Sequence, residues 1–145
     1  MTKEGKIMPV KVGCASDYNK NHPGRVRKNR DEETVVLVAN KRYGWVDCDE
    51  HITELAPRIN THDEWKKSKV TPHDWKKFSS KYTAEMKSTK SLKAIRDLGE
   101  RSKNGEIIRL LCYEKDNNPY CHRYMLKLFI DEFSFANARS YTDHI

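Results

Sequence analysis

The sequence lacks several features that would assign it to a familiar class. Four cysteines in 145 residues are too few for a disulfide-stabilised scaffold. No apolar run approaches the ~20 residues of a membrane-spanning helix. The N-terminal segment MTKEGKIMPVKVG has no long apolar core of the kind found in signal peptides. These absences predict a cytoplasmic protein that keeps its thiols reduced and does not enter a membrane.

Common catalytic and metal-binding motifs are also missing. The chain has no Walker loop, no GxGxxG, no GxSxG and no internal repeat. Cys14, Cys112, Cys121 and His122 offer the donors of a Cys₃His zinc site, but paired zinc ligands usually lie two to four residues apart. Cys112 and Cys121 are nine residues apart, and adjacent residues rarely bind one ion from a helix. The spacing of these donors argues against a zinc site. The missing motifs give no sign of another cofactor, so none is predicted.

The charge of the chain is positive and unevenly distributed. The net charge is +7, with about +6 in each of the segments 1–30 and 61–105. Two basic segments predict either a surface for a polyanion or a solvated lysine-rich face. The turn-rich loop at 17–30 contains Arg25 and Arg27 and suits contact with phosphate groups, although an ordinary exposed connection has the same composition.

Three segments rich in apolar residues predict strands at residues 10–16, 34–39 and 107–112, and the second of them is a continuous apolar run. The second run is typical of a strand that is buried on both faces. Helical segments lie between and after these runs. The pattern predicts a small, mainly parallel sheet flanked by helices, in a single layered α/β domain that spans residues 1–145.

Three helices are predicted between the second and third strands. The first has Thr61 as its N-cap, with Glu64 in a capping box. The second has Thr71 as its N-cap and Asp74 as the matching acidic residue, and the third spans about 91–102. One face of the second helix is expected to lie in the core, through Trp75, Phe78, Tyr82 and Met86.

The most informative stretch is residues 106–133, EIIRLLCYEKDNNPYCHRYMLKLFIDEF. It predicts a strand, a polar loop and a helix with Asn118 as N-cap and Pro119 as first residue. Ligands bind outside the carboxyl ends of parallel strands, and helix N-termini favour anions. The junction is therefore predicted to be a binding site. The tail at 134–145 is expected to add an edge strand or to fray.

Several side chains at this junction could take part in catalysis or bind a ligand. Cys121 is the candidate nucleophile, because the helix dipole and nearby Arg123 favour a thiolate; packing as a buried thiol is the alternative. Glu114 is the candidate proton carrier and the expected partner of Arg123, whose guanidinium suits an anion. Cys112 ends a buried strand, where packing is expected to outweigh ligand contact. The predicted ligand-binding residues of the junction are Cys112, Asn118, His122 and Arg123.

These residues resemble a known family. The motifs are LLCYEKD at 110–116, Cys121-His122-Arg123, the upstream Glu54-Leu55-Ala56-Pro57, and a spaced pattern that includes Trp65, Trp75, Phe78 and Tyr82. Over roughly residues 50–130 the chain resembles the prokaryotic and viral family catalogued as domain of unknown function 488. The resemblance implies a small cytoplasmic α/β protein whose site is formed by the two cysteine motifs and approached by Glu54, Pro57 and Tyr82. It implies no particular activity.

Three functions stay open on the sequence. The first is processing of a nucleotide or nucleic acid, with the phosphate held by Arg123 and the basic loop. The second is a non-catalytic module that binds or sequesters a phosphorylated small molecule. The third is a structural zinc site in a protein-interaction domain. The junction favours the first of these functions. The predicted binding partner is a phosphorylated small molecule or a nucleic acid.

Overall fold

The computed structural model describes residues 9–22, 32–115 and 118–143, with side chains through Phe133. The sheet is parallel and has the strand order β1-β4-β2-β3. Its strands are β1 (Lys11–Cys14), β2 (Thr34–Leu37), β3 (Glu50–His51) and β4 (Ile108–Cys112). The helices are α1 (Ile59–Lys67), α2 (Pro72–Glu85), α3 (Thr89–Lys103) and α4 (His122–Asp143). The prediction of a small parallel α/β fold is confirmed.

Alternate strand residues enter two hydrophobic clusters. Val36 and Leu110, which are paired in register, pack with side chains from all four helices. Leu37 and Leu111, also paired, pack on the opposite face with residues that follow β1 and precede β3. All four side chains are fully buried, and each contributes about 1.5–3 kcal/mol. Burial on both faces explains why β2 and β4 are apolar apart from Thr34 and Arg109.

The capping signals were correct for α2 and wrong for α1. The predicted capping box of α2 is present, since Thr71 Oγ1 accepts from the Asp74 N–H at 3.1 Å and the Asp74 carboxylate accepts from the Thr71 N–H. The predicted aromatic face of α2 lies in the core. Helix α1 instead begins at Ile59, so Thr61 lies inside it and donates its hydroxyl to Glu85. Glu64 pairs with two lysines of α2 rather than capping α1.

The end of the chain also differs from the prediction. Helix α4 begins at His122 rather than after Asn118, whose side-chain oxygen accepts from the Tyr120 N–H at 2.9 Å in a local turn. Helix α4 then continues to Asp143, so the expected edge strand or frayed tail is wrong. The two-residue strand β3 was not predicted, because it is too short to give a pattern.

Helices α3 and α4 approach closely at Gly99. A Cβ atom at this position would overlap the ring of Phe133 on α4. Gly99→Ala is expected to lower the free energy of unfolding by about 1–2 kcal/mol, because overpacking outweighs the gain in helix propensity. Urea denaturation measures the change. Gly44→Ala is the control, since nothing lies within 4 Å of its added Cβ. Unchanged stability in Gly99→Ala would contradict the close packing.

Candidate functional site

The carboxyl ends of β2 and β4 border a cavity of about 240 Å³. Ala39 and Asn40, which follow β2, line one part of it, and the segment Cys112–Glu114 at the end of β4 lines another. Helices α1 and α2 and the start of α4 supply the remaining wall. The site therefore lies at the edge of the sheet where parallel α/β folds bind ligands.

The floor of the cavity consists of two thiols and an imidazole. Cys112, Cys121 and His122 are 6%, 3% and 6% exposed, and their candidate ligand atoms all lie within 4.8 Å of one another. Cys112 is the last residue of β4, and Cys121 immediately precedes α4. The two sulfurs lie close together because β4 ends and α4 begins at the same edge of the sheet. We call Cys112, Cys121 and His122 the floor cluster.

His122 is held in one orientation by the backbone. Its Nε2 lies 2.7 Å from the carbonyl oxygen of Val38, which follows β2. A carbonyl oxygen can only accept, so Nε2 carries the proton and Nδ1 bears a lone pair. Nδ1 lies 4.0 Å from the sulfur of Cys121. Burial lowers the pKa of His122 to about 4, so the ring is neutral at physiological pH.

The two thiols of the floor cluster differ in acidity. The Cys121 thiol donates to the Cys112 sulfur and lowers the pKa of Cys112, and the N–H groups of Glu114 and Tyr113 lower it further. The same hydrogen bond, together with burial, raises the pKa of Cys121. The sulfur that ionises more readily is therefore Cys112. The sequence instead favoured a thiolate at Cys121, because of the helix dipole and nearby Arg123, and expected packing to outweigh ligand contact for Cys112.

Aromatic rings form the wall above the floor cluster. The ring centroids of Trp65 and Trp75 are 5.2 Å apart, and Tyr120 lies 5.8 Å and 5.4 Å from them. Trp75 also stacks on Phe78 at 5.1 Å. The aromatic side chains that line the cavity are Tyr43, Trp65, Trp75, Phe78, Tyr113 and Tyr120. The wall suits a flat ring system, since aromatic faces stack on one another.

Arg123 occupies a different place from the one predicted. Its side chain is fully buried, and it donates to the main-chain oxygens of Glu114 at 2.7 Å and Lys115 at 2.9 Å. It also donates to the Tyr124 hydroxyl at 3.0 Å. The lining residues described for the cavity do not include Arg123. Its guanidinium therefore shapes the loop after β4 and does not face an anion in the cavity.

Glu114 lines the cavity as predicted, but its carboxylate has another partner. Its Oε1 lies 3.0 Å from Nζ of Lys66 on α1, so the ion pair spans the cavity rim. The expected contact with Arg123 uses the Glu114 carbonyl oxygen and not the carboxylate. Glu114 thus shares the cavity lining with the three residues of the floor cluster, and its carboxylate is paired with Lys66.

Among the other residues expected near the site, Pro57 lines the cavity, while Glu54, Tyr82 and Asn118 are not described lining residues. Tyr82 is fully buried and donates its hydroxyl to the Leu55 carbonyl at 2.7 Å, although its ring contacts His122 at 5.4 Å. Glu54 lines a second depression, next to Pro57. Asn118 caps the turn before α4. The predicted contacts of Arg25 and Arg27 lie outside the described residues.

Sequence reasoning missed part of the site. Trp65 was not singled out as a binding residue, and Trp75 was assigned to the core alone. The carbonyl of Val38 left no signal, because any residue supplies one. The aromatic residues did leave a signal: Trp65 and Trp75 each precede a Lys-Lys pair and belong to the spaced pattern that resembles the family. Both line the cavity, because α1 and α2 each contribute to its wall.

The fold and the site define a small parallel α/β protein with a thiol-containing cavity at the carboxyl edge of its sheet. The chain belongs to the DUF488 family: a family model described as the active DUF488-N3 subclade matches residues 19–134. The resemblance noted in the sequence is thereby confirmed. No curated protein matches the chain, and no solved structure does. None of the helices in the described part of the chain is long and apolar enough to cross a membrane.

Proposed function

We propose that the protein is an enzyme that binds the base of a nucleotide, free or within a nucleic acid, and acts on it at the floor cluster. One observation carries the proposal. A single cavity combines an aromatic wall with a buried Cys-Cys-His floor. The wall provides recognition of a planar ring, and the floor provides reactive groups directly beneath it.

The size and lining of the cavity favour enclosure of the base alone, with the sugar and phosphate of a nucleotide outside. Its volume of about 240 Å³ is below the roughly 300–1,000 Å³ of pockets that enclose a drug-sized molecule. A single ring system fits such a space while the rest of the ligand stays outside. Stacking between a base and an aromatic side chain contributes about 1–3 kcal/mol. The sugar and phosphate would then lie at the mouth.

Positive charge at the mouth supports an anionic ligand. Lys41 and Lys66 both line the cavity, and Lys41 Nζ lies 4.9 Å from the centre of the exposed Tyr43 ring. The net charge of +7 adds a long-range attraction for phosphate groups. Lys66 already pairs with Glu114, so Lys41 is the rim cation that we assign to the ligand.

The arrangement of reactive groups supports catalysis rather than binding alone. Cys112 is the electron-pair donor that we assign to the floor, and Glu114 at the rim is the group that we assign to proton transfer. Neither group is required for simple stacking of a base. The description of the matching subclade as active is consistent with this assignment.

The binding part of the proposal is tested by calorimetric titration with nucleosides, nucleoside monophosphates and short single-stranded oligonucleotides. Trp75→Leu is expected to weaken binding by about 1–3 kcal/mol, roughly 5-fold to 150-fold, because it removes one stacking face. Trp45→Leu is the matched control, since Trp45 is half-buried and is not a described lining residue of the cavity.

Each outcome has a clear meaning. Binding that weakens in Trp75→Leu and not in Trp45→Leu supports the aromatic cavity as the base site. Equal affinities in both variants would show that the base binds elsewhere. Absence of binding to every member of the panel at low salt would refute the proposed function, since electrostatic attraction is then greatest.

A further inference from the structure

The floor cluster meets the requirements of a metal site that the sequence spacing argued against. Two sulfurs and an imidazole nitrogen converge within 4.8 Å in a buried position. Sulfur and imidazole donors together select zinc over hard ions such as magnesium or calcium. Cys121 lies just before α4 rather than on it, so it and His122 are not restricted to the divergent directions of neighbouring helical residues.

The environment of His122 gives an independent indication. Histidines that bind metals almost always donate their second ring N–H to a carboxylate, a backbone carbonyl or water. Here Nε2 donates to the Val38 carbonyl at 2.7 Å, which leaves the lone pair of Nδ1 directed towards the sulfur of Cys121. The backbone thus fixes both the tautomer and the ring orientation that a metal ligand needs.

We propose that Cys112, Cys121 and His122 bind one zinc ion, and that its fourth coordination position opens into the cavity. All three residues line that cavity, so a water molecule or a substrate atom can reach the ion. Three protein ligands and an open position are the pattern of catalytic zinc rather than structural zinc. Metal binding itself is independent of the proposed function, whereas the role of the ion in the reaction rests on it.

The geometry and charge of the floor cluster agree with this proposal. Zinc–sulfur bonds of about 2.3 Å and zinc–nitrogen bonds of about 2.0–2.1 Å place tetrahedral ligand atoms roughly 3.5–3.8 Å apart. The observed separations, up to 4.8 Å, need only small side-chain rotations to close around an ion. Both thiols release their protons to solvent on binding. Two thiolates neutralise Zn²⁺, so the buried site carries no net charge.

The zinc ion gives the cavity a specific chemistry. A zinc ion held there would lower the pKa of a bound water to about 7, which would supply hydroxide within the cavity. The substrate class is then a base or nucleoside with an electrophilic carbon, and the reaction class is hydrolysis: a C–O bond forms to that carbon and the bond from the carbon to its leaving group breaks. Cys112 would then act as a metal ligand and not as the attacking group, and Glu114 at the rim would pass the proton of the water to the leaving group.

The test uses the full-length protein, reduced and dialysed against zinc chloride, then desalted and analysed for metal by mass spectrometry. We expect about one zinc ion per chain in the wild type and in Cys48→Ser. We expect substoichiometric zinc in Cys112→Ser and in Cys121→Ser, because each variant lacks one of the three proposed ligands. Cys48 is the control, because it is a free thiol outside the floor cluster.

Cobalt titration of the metal-free protein provides a second readout. Thiolate-to-cobalt charge-transfer bands should appear in the wild type and in Cys48→Ser and disappear in Cys121→Ser, while circular dichroism verifies that each variant is folded. The proposal is overturned if the reconstituted wild type holds no stoichiometric zinc. It is equally overturned if Cys112→Ser and Cys121→Ser retain wild-type metal content and spectra.

The same samples separate this inference from the proposed function. Nucleotide affinity is measured with and without zinc in each preparation. Base binding in a protein that binds no zinc would overturn the metal site and leave the cavity proposal intact. Zinc binding without affinity for any base would overturn the proposed function and leave the metal site intact.

Discussion

Arg123→Ala is expected to lower the free energy of unfolding by about 3 kcal/mol. The guanidinium is fully buried and donates to the carbonyls of Glu114 and Lys115. Its removal leaves two carbonyl oxygens without these donors and opens a cavity beneath the loop after β4. Guanidinium chloride denaturation followed by circular dichroism measures the loss. Binding of a base should weaken as well, because the loop carries Tyr113 and Glu114 of the cavity lining.

Two further variants make this result specific. Arg123→Lys keeps the charge but lacks the planar fork that reaches two carbonyls at once, so it should recover only part of the lost stability. Arg96→Ala on α3 removes an exposed arginine and should change stability by less than about 0.5 kcal/mol. If Arg123→Ala were as stable as Arg96→Ala, the buried guanidinium would not hold the loop.

Cys112→Ser is expected to reduce turnover of the substrate base by at least about a hundredfold while affinity for the base changes by less than about threefold. Cys112 lies in the floor beneath the aromatic wall, so its loss removes reactive chemistry and spares the stacking surface. The assay incubates zinc-reconstituted protein with nucleosides, nucleotides and oligonucleotides and follows new products by liquid chromatography and mass spectrometry.

Cys48→Ser again serves as the control and should retain full turnover, because its thiol is outside the floor cluster. Undiminished turnover in Cys112→Ser would exclude this sulfur from the reaction. If the wild-type protein binds bases and converts none of them, the cavity belongs to a binding module, which was the second function that the sequence left open.

Much of the fold was predictable because its signals are local. The double-sided burial of β2 and β4 produces mainly apolar segments, and the capping box at Thr71 marks the start of α2 within the sequence itself. The start of α1 was mispredicted because Thr61 satisfies a long-range partner, Glu85, rather than its own helix. Strand β3 was missed because two residues carry no periodicity.

The site was only partly predictable, because some of its contacts join residues that are close in the chain and others join residues that are far apart in it. The junction from Cys112 to Arg123 could be located, because strand, loop and helix follow one another in the chain. The distance between the Cys112 and Cys121 sulfurs could not be predicted, because it depends on where the loop returns to the edge of the sheet. Whether Arg123 faces a ligand or the loop is likewise decided by tertiary packing, which buries it.

The position of β4 links the assembly of the site to the order of synthesis. Strand β4 lies between β1 and β2, although it comes last in sequence among the strands of the described residues. A nascent chain that ends before residue 108 therefore lacks the strand to which both β1 and β2 hydrogen-bond. Cys112 ends that same strand, whereas Cys121 and His122 follow it at the start of α4, so the floor cluster is complete only after the sheet. On the ribosome, we therefore expect the sheet to form after β4 has emerged and the floor cluster to form after residue 122 has followed it.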